Sequence, residues 1–377
     1  MFVFFKSKDE KCKELLKKAN SFYHQKKFAK AIKLYQKILK TDSQNFAATV
    51  NIATSYFELE EYELSIPFFQ KTITCDKSNP WWHNYLSQSA QKTGDFKTAI
   101  DEAWTAVLLD FNAYEHHLNL AYTLYEISTE KGEEYIDDTL RKWYEKFPEN
   151  PIAKQCYKSF YFDKNFKVSE PEYVEKLFDV FAQDFDSVLK ELNYDSPVFL
   201  ARNIAEFFKE NNQKKIQILD IGCGSGLCGC AIKKILSDSR ITGVDISQNM
   251  LVEAHRKNVY HKLVKGNITD CFGKIKTLFD VVVSSDVFTY FGDLDSVFLG
   301  VSNVLRKGGL FSFTYTLNNE NLHDWFLAPS SRFLHSQKYI NDILCKNGFR
   351  VVKNEEKILR KEGEKEVKGM CVSAVKK

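Results

Sequence analysis

Residues 218–229, with the sequence ILDIGCGSGLCG, combine one acid with a regular series of glycines. An apolar stretch runs into Asp220, and Gly222, Gly224 and Gly226 follow it. Glycines at this spacing let backbone N–H groups approach a ligand closely, and the N-terminus of the next helix favours negative charge. A carboxylate at Asp220, however, would repel a pyrophosphate and attract an ammonium group. The segment therefore predicts a buried strand, a tight turn and a ligand with an ammonium group near that turn.

The glycines alone leave a second ligand open. Gly224, Gly226 and Gly229 also fit the pattern G-x-G-x-x-G, and Asp245 follows about where a ribose-binding acid lies in a nicotinamide-binding fold. Such a match is weak by itself, because glycine-rich turns also serve purely structural purposes. A nicotinamide cofactor therefore stays an alternative on this segment alone.

Acids at the ends of three predicted strands separate the two ligands. Asp220 ends the first strand, Asp245 ends a strand over residues 240–245, and Asp286 follows a strand over residues 279–285. In this arrangement the region resembles the class I methyltransferases, which hold the methionine, ribose and adenine parts of S-adenosylmethionine with acids at successive strand ends. The resemblance implies S-adenosylmethionine as the cofactor and a Rossmann-like domain with seven strands.

The resemblance also implies a set of cofactor-binding residues. They are Asp220, Gly222, Cys223, Gly224, Gly226, Asp245, Ile246, Asn267, Ile268 and Asp286. We expect Asp245 to accept hydrogen bonds from both ribose hydroxyls and Ile246 to cover the adenine edge. Asn267 stands where many relatives have an acid, so its amide oxygen would accept from the adenine amino group, with Asp270 as the alternative. Asp286 either lies near the transferred methyl group or only caps the following turn.

Candidates for the acceptor side follow later in the chain. Methyl transfer from a sulfonium needs alignment, exclusion of water and, for some acceptors, removal of a proton. For a hydroxyl or carboxyl acceptor, we predict His335 as base or orienting residue, Arg332 as the partner of an anionic substrate and Tyr290 as a neighbour of the methyl group. His335 and Arg332 could equally be structural. Cys223, Cys228 and Cys230 cluster without a paired C-x-x-C, so no metal site is predicted.

A helical pattern precedes the first predicted strand. Apolar residues recur at helical spacing over residues 173–197, and Asp179 and Asp186 fall off that apolar stripe. Helices at this position commonly cover the cofactor in class I methyltransferases, so Tyr173, Phe178 or Phe185 is a candidate shield for the sulfonium. The alternative is ordinary packing of an amphipathic helix against the sheet.

The N-terminal part of the chain repeats itself every 34 residues. The repeated positions include Phe28, Tyr62 and Phe96, then Ala31, Ser65 and Ala99, then Tyr35, Phe69 and Ala103. This alternation of small and aromatic residues resembles tetratricopeptide (TPR) repeats, in which paired helices cross closely at small side chains. The resemblance implies a solenoid of about three good units, with a degenerate fourth unit over residues 114–150. Repeat modules of this kind usually bind other proteins.

Three regions are therefore predicted, with an all-α TPR solenoid followed by an α/β domain. They are the repeats at 10–150, connecting and lid helices at 151–212, and the methyltransferase domain at 213–377. The chain has 377 residues, 27% of them charged, and a net charge of +3, so it shows no specific nucleic-acid signal. Nine scattered cysteines and the lack of a long apolar segment predict a cytoplasmic protein that is not bound to a membrane.

Three functions remain open on the sequence. The first is a methyltransferase that uses S-adenosylmethionine and whose repeats recruit or present a protein partner or substrate. The second is a small-molecule O-, N- or C-methyltransferase whose repeats serve only docking or dimerisation. The third is a scaffold that binds the cofactor without catalysing transfer. The sequence names neither the acceptor atom nor the oligomeric state.

Overall fold

A computed structural model describes residues 8–161, 165–209, 215–318, 323–362 and 365–377. For residues 362 and 365 it describes the backbone only. The chain divides into two compact units, Met1–Pro148 and Glu149–Lys377. The apolar residues 1–5 and the expected 212/213 boundary lie outside the described residues. No helix in the described ranges is both long and apolar enough to cross a lipid bilayer.

The first unit consists of helices that pack in series. Their bounds are α1 Lys8–His24, α2 Phe28–Thr41, α3 Phe46–Glu58, α4 Tyr62–Cys75, α5 Pro80–Lys92, α6 Phe96–Leu109, α7 Tyr114–Lys131 and α8 Asp137–Lys146. Helices α2, α4 and α6 each have 14 residues and begin 34 residues apart. Each helix from α1 to α6 packs on the next one, and α3 also contacts α5, which contacts α7. The sequence period thus corresponds to pairs of helices.

Small buried residues explain why these helices approach one another closely. Ala31, Ser65 and Ala99 occupy the same position of three successive units, and all three are fully buried. The Ser65 hydroxyl lies 2.8 Å from that of Ser89, so its polarity is satisfied inside the helix stack. The buried Phe69 ring stacks on Tyr85 at 5.3 Å between centroids, which fills the space between neighbouring pairs.

The second unit begins with helices and continues as an α/β domain. The helices are α9 Pro151–Phe160, α10 Pro171–Phe181, α11 Phe185–Glu191, α12 Ser196–Lys209, α13 Leu227–Ile235, α14 Gln248–Arg256, α15 Ile268–Phe272, α16 Asp295–Val304 and α17 Gln337–Lys346. The strands are β1 Gln217–Ile221, β2 Arg240–Asp245, β3 Lys262–Lys265, β4 Phe279–Ser284, β5 Leu305–Thr316, β6 Trp325–Leu327, β7 Phe333–His335, β8 Phe349–Glu362 and β9 Lys365–Lys376. The predicted parallel sheet is present.

Seven strands form this sheet in the order β3-β2-β1-β4-β5-β9-β8. Strands β1 to β5 pair in parallel, and β9 runs antiparallel to both β5 and β8. Apolar clusters cover both faces, one with α16 and α17 and the other with α12 and α13. The order reverses between β1 and β4, which is where open parallel sheets bind ligands at the carboxyl ends of their strands.

Three local predictions are wrong. The apolar stripe over 173–197 does not form one helix, because the chain turns between α10 and α11. Gly308 and Gly309 predict a turn at 306–309 ahead of a strand over residues 310–315, but these residues lie inside β5, where Gly308 has a φ of +76° and the pairing with β4 shifts register between Phe279 and Val281. The sequence also predicts a long loop after that strand, but the stretch contains the antiparallel pair β6–β7.

Candidate active site

The cavity of interest in the second unit lies at the carboxyl ends of β1, β2 and β4. It encloses about 1220 Å³ of space free of protein atoms, part of which is open to solvent. Eight of the predicted cofactor residues line it, namely Gly222, Cys223, Gly224, Asp245, Ile246, Asn267, Ile268 and Asp286. The structure therefore brings residues from four separate stretches of the sequence to one place.

The glycine turn has the backbone geometry that its sequence requires. Gly222, Gly224 and Gly226 have φ values of +68°, +52° and +95°, in the left-handed region that side chains with a Cβ disfavour. The Gly222 and Cys223 N–H groups both donate to the Val244 carbonyl. These hydrogen bonds fix the turn to the end of β2. The two N–H groups are therefore already engaged within the protein, whereas the sequence suggested them as donors to the ligand.

Asp220 lies behind the glycine turn and is fully buried. Its Oδ2 accepts a hydrogen bond of 2.7 Å from the Tyr260 hydroxyl. Its Oδ1 is buried and has no hydrogen-bond partner among the described residues. Burial raises the pKa of Asp220 to about 7, and the hydrogen bond from Tyr260 opposes part of that rise. A buried acceptor without a donor is costly, and an ammonium group is a donor of the required kind.

Asp245 ends β2 and lies against the cavity. Its Oδ2 accepts from the Gly224 N–H at 2.7 Å, and its Oδ1 accepts from the Ser247 N–H at 2.9 Å. Burial raises the pKa of Asp245 to about 6, whereas these backbone hydrogen bonds lower it. The half-buried Ile246 lines the cavity next to it. The placement agrees with the predicted ribose site, which remains a prediction.

Asn267 and Ile268 line the cavity at the start of α15. The Asn267 Oδ1 accepts from both the N–H and the hydroxyl of Thr269, at 3.1 and 3.0 Å, so it caps the helix. Asp270, the alternative adenine contact, is exposed and does not belong to the cavity wall. The carbonyl that was expected to read the adenine amino group is therefore already engaged.

Asp286 follows β4 and pairs with Arg360, which was not predicted from the sequence. The distance between Asp286 Oδ2 and the Arg360 guanidinium is 2.7 Å, and Arg360 is buried. Asp286 has a φ of +59°, and its N–H donates to the Thr314 hydroxyl at 2.9 Å. Its carboxylate does not cap the following turn, because one oxygen binds Arg360 and the other has no partner among the described residues. Arg360 lies on β8, far along the chain.

Of the three acceptor-side candidates, Tyr290 and Arg332 line the cavity and His335 does not. The His335 ring is fully buried, and its Nε2 donates to the Gly292 carbonyl at 3.2 Å. Burial lowers the pKa of His335 to about 4, so the ring is neutral near pH 7. The His335 ring is stacked on Tyr339 outside the cavity wall. The structure therefore does not place it among the groups that could touch an acceptor.

Helices α10 and α11 cover one side of the cavity. Phe178 and Phe185 line it, and Phe178 makes an edge contact with Tyr290 at 5.5 Å between centroids. Tyr173, the third candidate shield, is buried but does not belong to the cavity wall. Two carboxylates tie this cover to the cofactor loops. The first is Asp179, which accepts a hydrogen bond of 2.6 Å from the hydroxyl of Ser247, two residues after Asp245.

The second tie joins α11 to the glycine turn. Asp186 accepts from the Ser225 hydroxyl and pairs with Lys257 at 2.6 Å. Lys257 also donates to the Ser225 carbonyl at 2.6 Å. We call these contacts of Asp179 and Asp186 the latch. One signal for it is visible in the sequence, since both acids fall off the apolar stripe.

Removing one latch contact is expected to accelerate cofactor release. We predict that Asp186→Asn raises the dissociation rate of S-adenosylmethionine about two- to tenfold, the range for losing one partly exposed ion pair. Stopped-flow measurement of that rate checks the effect. Asp184→Asn is the matched control, because Asp184 is exposed and lies two residues away on the same segment. Equal rates for the two variants would show that the latch does not hold the cover.

Comparisons with known proteins agree with this geometry. Residues 212–365 match the family model described as a methyltransferase domain. Ribosomal RNA small subunit methyltransferase C of Haemophilus influenzae is 31% identical over 99 residues, which are 26% of this chain and 29% of that protein. Malonyl-[acyl-carrier protein] O-methyltransferase of Magnetococcus marinus is 26% identical over 145 residues, 36% of this chain and 53% of that protein. The chain thus spans between about a third and a half of these relatives.

Solved structures of low identity resemble part of this chain. An S-adenosylmethionine-dependent methyltransferase from Clostridium acetobutylicum has 20% identity and a TM-score of 0.40, covering 53% of this chain and 99% of that one. Magnesium protoporphyrin IX methyltransferase from Synechocystis, with S-adenosylmethionine bound, has 16% identity and a TM-score of 0.36. The match covers 64% of this chain and 97% of that one.

The class of domain predicted from the sequence is confirmed by the family match. The second unit carries a class I methyltransferase domain, and the cofactor of this domain is S-adenosylmethionine. The cavity described above fits that cofactor, since Asp245 lies on its wall next to the glycine turn. Asp220 and Gly226 do not belong to the wall, but the Asp220 oxygen that lacks a donor among the described residues lies two residues before Gly222, which does. In the part of the chain that the structure describes, no cluster of His, Cys, Asp or Glu could hold a metal ion.

Proposed function

We propose that the chain transfers a methyl group from S-adenosylmethionine to an acceptor, and that its N-terminal helices are TPR repeats that recruit or present a protein substrate. The observation that carries the first part is the buried Asp220 Oδ1, which lacks a donor behind the cofactor turn. When bound, S-adenosylmethionine supplies an electrophilic methyl group on a positively charged sulfur. Asp220 would hold the ammonium group, and Asp245 the ribose.

The chain's own residues would then orient the reactants and exclude water. Phe178 and Phe185 present apolar surfaces to the cavity, and Tyr290 closes it on the side of β4. Exclusion of water strengthens the electrostatic interactions inside such a site. The relatives named above act on different acceptors, as their names state, so they do not choose one for this chain.

Two features of the first unit support the repeat assignment. Successive helix pairs recur at 34 residues, which is the length of a TPR unit. The small and aromatic residues of each unit are those buried between neighbouring helices. Nine cysteines, all of them free, support a reducing compartment, and we place the protein in the cytoplasm on that basis.

A labelled-methyl assay distinguishes this function from its rivals. The full chain is incubated with methyl-labelled S-adenosylmethionine and a cell extract, which is then separated into protein and metabolite fractions. Label in the protein fraction is the expected result. Label confined to metabolites would favour a small-molecule methyltransferase with docking repeats. Cofactor binding without any transfer would leave the scaffold, and would contradict the proposal.

A further inference from the structure

We propose that Tyr260 is a positioning residue of the cofactor site, where its hydroxyl holds the Asp220 carboxylate in place and favours its ionised form. The proposal rests on the function proposed above, in which Asp220 binds the ammonium group of S-adenosylmethionine. Tyr260 is half-buried in the segment between α14 and β3, and it does not belong to the cavity wall. Its effect on the cofactor would therefore pass through Asp220.

The Tyr260 side chain reaches Asp220 across the intervening strand. Its hydroxyl donates a hydrogen bond of 2.7 Å to Asp220 Oδ2 on β1. Strand β2 lies between β1 and β3, and Gly243 of β2 pairs in register with Asp220. A Cβ atom at Gly243 would lie 3.0 Å from Tyr260 Cδ1, and 2.8 Å from the side chains of two further residues, Cys223 and Leu263. The missing side chain at Gly243 therefore leaves the space through which the Tyr260 ring approaches Asp220.

Gly229 makes room for the hydroxyl end of the same ring. This glycine lies in α13, where alanine would be the better helix former. A Cβ atom there, however, would lie 2.6 Å from both the Cζ atom and the hydroxyl oxygen of Tyr260. A Cβ atom at Gly226 would lie 3.0 Å from Tyr260 Cε2. The last glycine of the pattern G-x-G-x-x-G is therefore explained by the Tyr260 ring and does not indicate a pyrophosphate.

The groups around Asp220 leave Tyr260 as the one that favours its charge. In the described part of the chain, the titratable groups that act on Asp220 or feel its charge are the Tyr260 phenol, the thiols of Cys223 and Cys228, and the Asp245 carboxylate. Burial raises the pKa of both thiols and of the phenol, so all three keep their protons near pH 7. Burial also raises the pKa of Asp220 to about 7, the hydrogen bond from Tyr260 opposes that rise, and the charge of Asp245 adds to it.

Replacing Tyr260 by phenylalanine keeps the ring and removes the donor. The affinity of Tyr260→Phe for S-adenosylmethionine is expected to fall about three- to tenfold at pH 6, the effect of losing one hydrogen bond. Without this bond Asp220 keeps its proton to a higher pH, so the rise of affinity with pH should move upward by about 0.5 to 1 pH unit. Calorimetric titrations of the full chain between about pH 5.5 and 7.5 measure both effects. A loss of packing alone would lower the affinity by the same factor at every pH.

Tyr35→Phe is the matched control. Tyr35 is a buried phenol of the first unit, and it donates a hydrogen bond of 2.7 Å to the Asn20 side chain. Its replacement should leave the affinity and the pH profile unchanged. If Asp220→Asn weakens binding but Tyr260→Phe shows the wild-type profile, or an equal loss at every pH, Tyr260 does not position Asp220. If Asp220→Asn also binds like the wild type, the assignment of the ammonium group to Asp220 fails as well.

Replacing Gly229 by alanine tests the same contact from the side of α13. The added Cβ atom has to displace the Tyr260 hydroxyl, whereas alanine itself suits a helix. We therefore expect Gly229→Ala to move the pH profile in the same direction as Tyr260→Phe. A wild-type affinity and profile in Gly229→Ala would contradict the confinement of the Tyr260 hydroxyl beside Asp220.

Discussion

Replacing Asp220 by asparagine is expected to weaken the binding of S-adenosylmethionine at least about 30-fold, which corresponds to about 2 kcal/mol. The change keeps the shape of the side chain and an oxygen for the Tyr260 hydroxyl, but it removes the charge that an ammonium group would pair with. Asp220 is fully buried, so solvent does not screen this interaction. Calorimetric titration measures the affinity. Asp238→Asn, at an exposed position, is the control.

The same residue predicts a pH dependence of cofactor binding. Burial raises the pKa of Asp220 to about 7 in the folded protein, so its carboxyl group takes up a proton as the pH falls through 7. Because the ammonium group binds the ionised form, affinity should rise between pH 5.5 and 7 by up to about tenfold per unit and level off above pH 7. Asp220→Asn should flatten most of this rise. An unchanged pH profile in that variant would remove Asp220 from the cofactor site.

The linked effect on stability has the opposite direction. The folded-state pKa of Asp220 lies above the ordinary value of 3.8, so between these values the folded protein binds more protons than the unfolded chain. The contribution of Asp220 to the free energy of unfolding therefore decreases as the pH rises from about 4 to 7. Asp245, with a pKa raised to about 6, acts in the same direction.

Replacing Gly222 by alanine is expected to lower the free energy of unfolding by about 2–5 kcal/mol and to abolish cofactor binding. Gly222 has a φ of +68°, and a Cβ atom there would lie 2.3 Å from Val287 Cγ2. Both the strain and the overlap act on the turn that forms one wall of the cavity. Denaturant unfolding and calorimetry measure the two effects.

A second glycine provides the control for this substitution. Gly273 has a φ of −65°, and a Cβ atom there would meet nothing within 4 Å. Gly273→Ala should therefore leave stability and cofactor binding almost unchanged. If Gly222→Ala were as stable as Gly273→Ala, the turn would not be under the constraint described here.

The central part of the site could be predicted because its signals are local. The strand that ends at Asp245 has the predicted bounds. The glycine turn adopts a left-handed backbone, which glycine adopts without strain because it has no Cβ atom. Strand ends in a parallel sheet meet at one edge, so acids at those ends could be placed together without knowledge of the packing. Their individual contacts with the cofactor remain predictions.

Features that depend on distant pairing could not be predicted in this way. Arg360 reaches Asp286 only because β9 and β8 return along the sheet, and nothing near Arg360 in the sequence indicates that partner. His335 looked like a base because of its residue type, but packing beneath Tyr339 removes it from the cavity. The apolar stripe over 173–197 continues across the break between α10 and α11, so it does not indicate where the chain turns.

The most direct test of the central claim is a calorimetric titration of the full chain with S-adenosylmethionine, compared with titrations with NAD⁺ and NADP⁺ under the same conditions. We expect one site for S-adenosylmethionine, weakened at least about 30-fold in Asp220→Asn, and no binding of either nicotinamide cofactor. Binding of a nicotinamide cofactor together with no binding of S-adenosylmethionine would contradict this account.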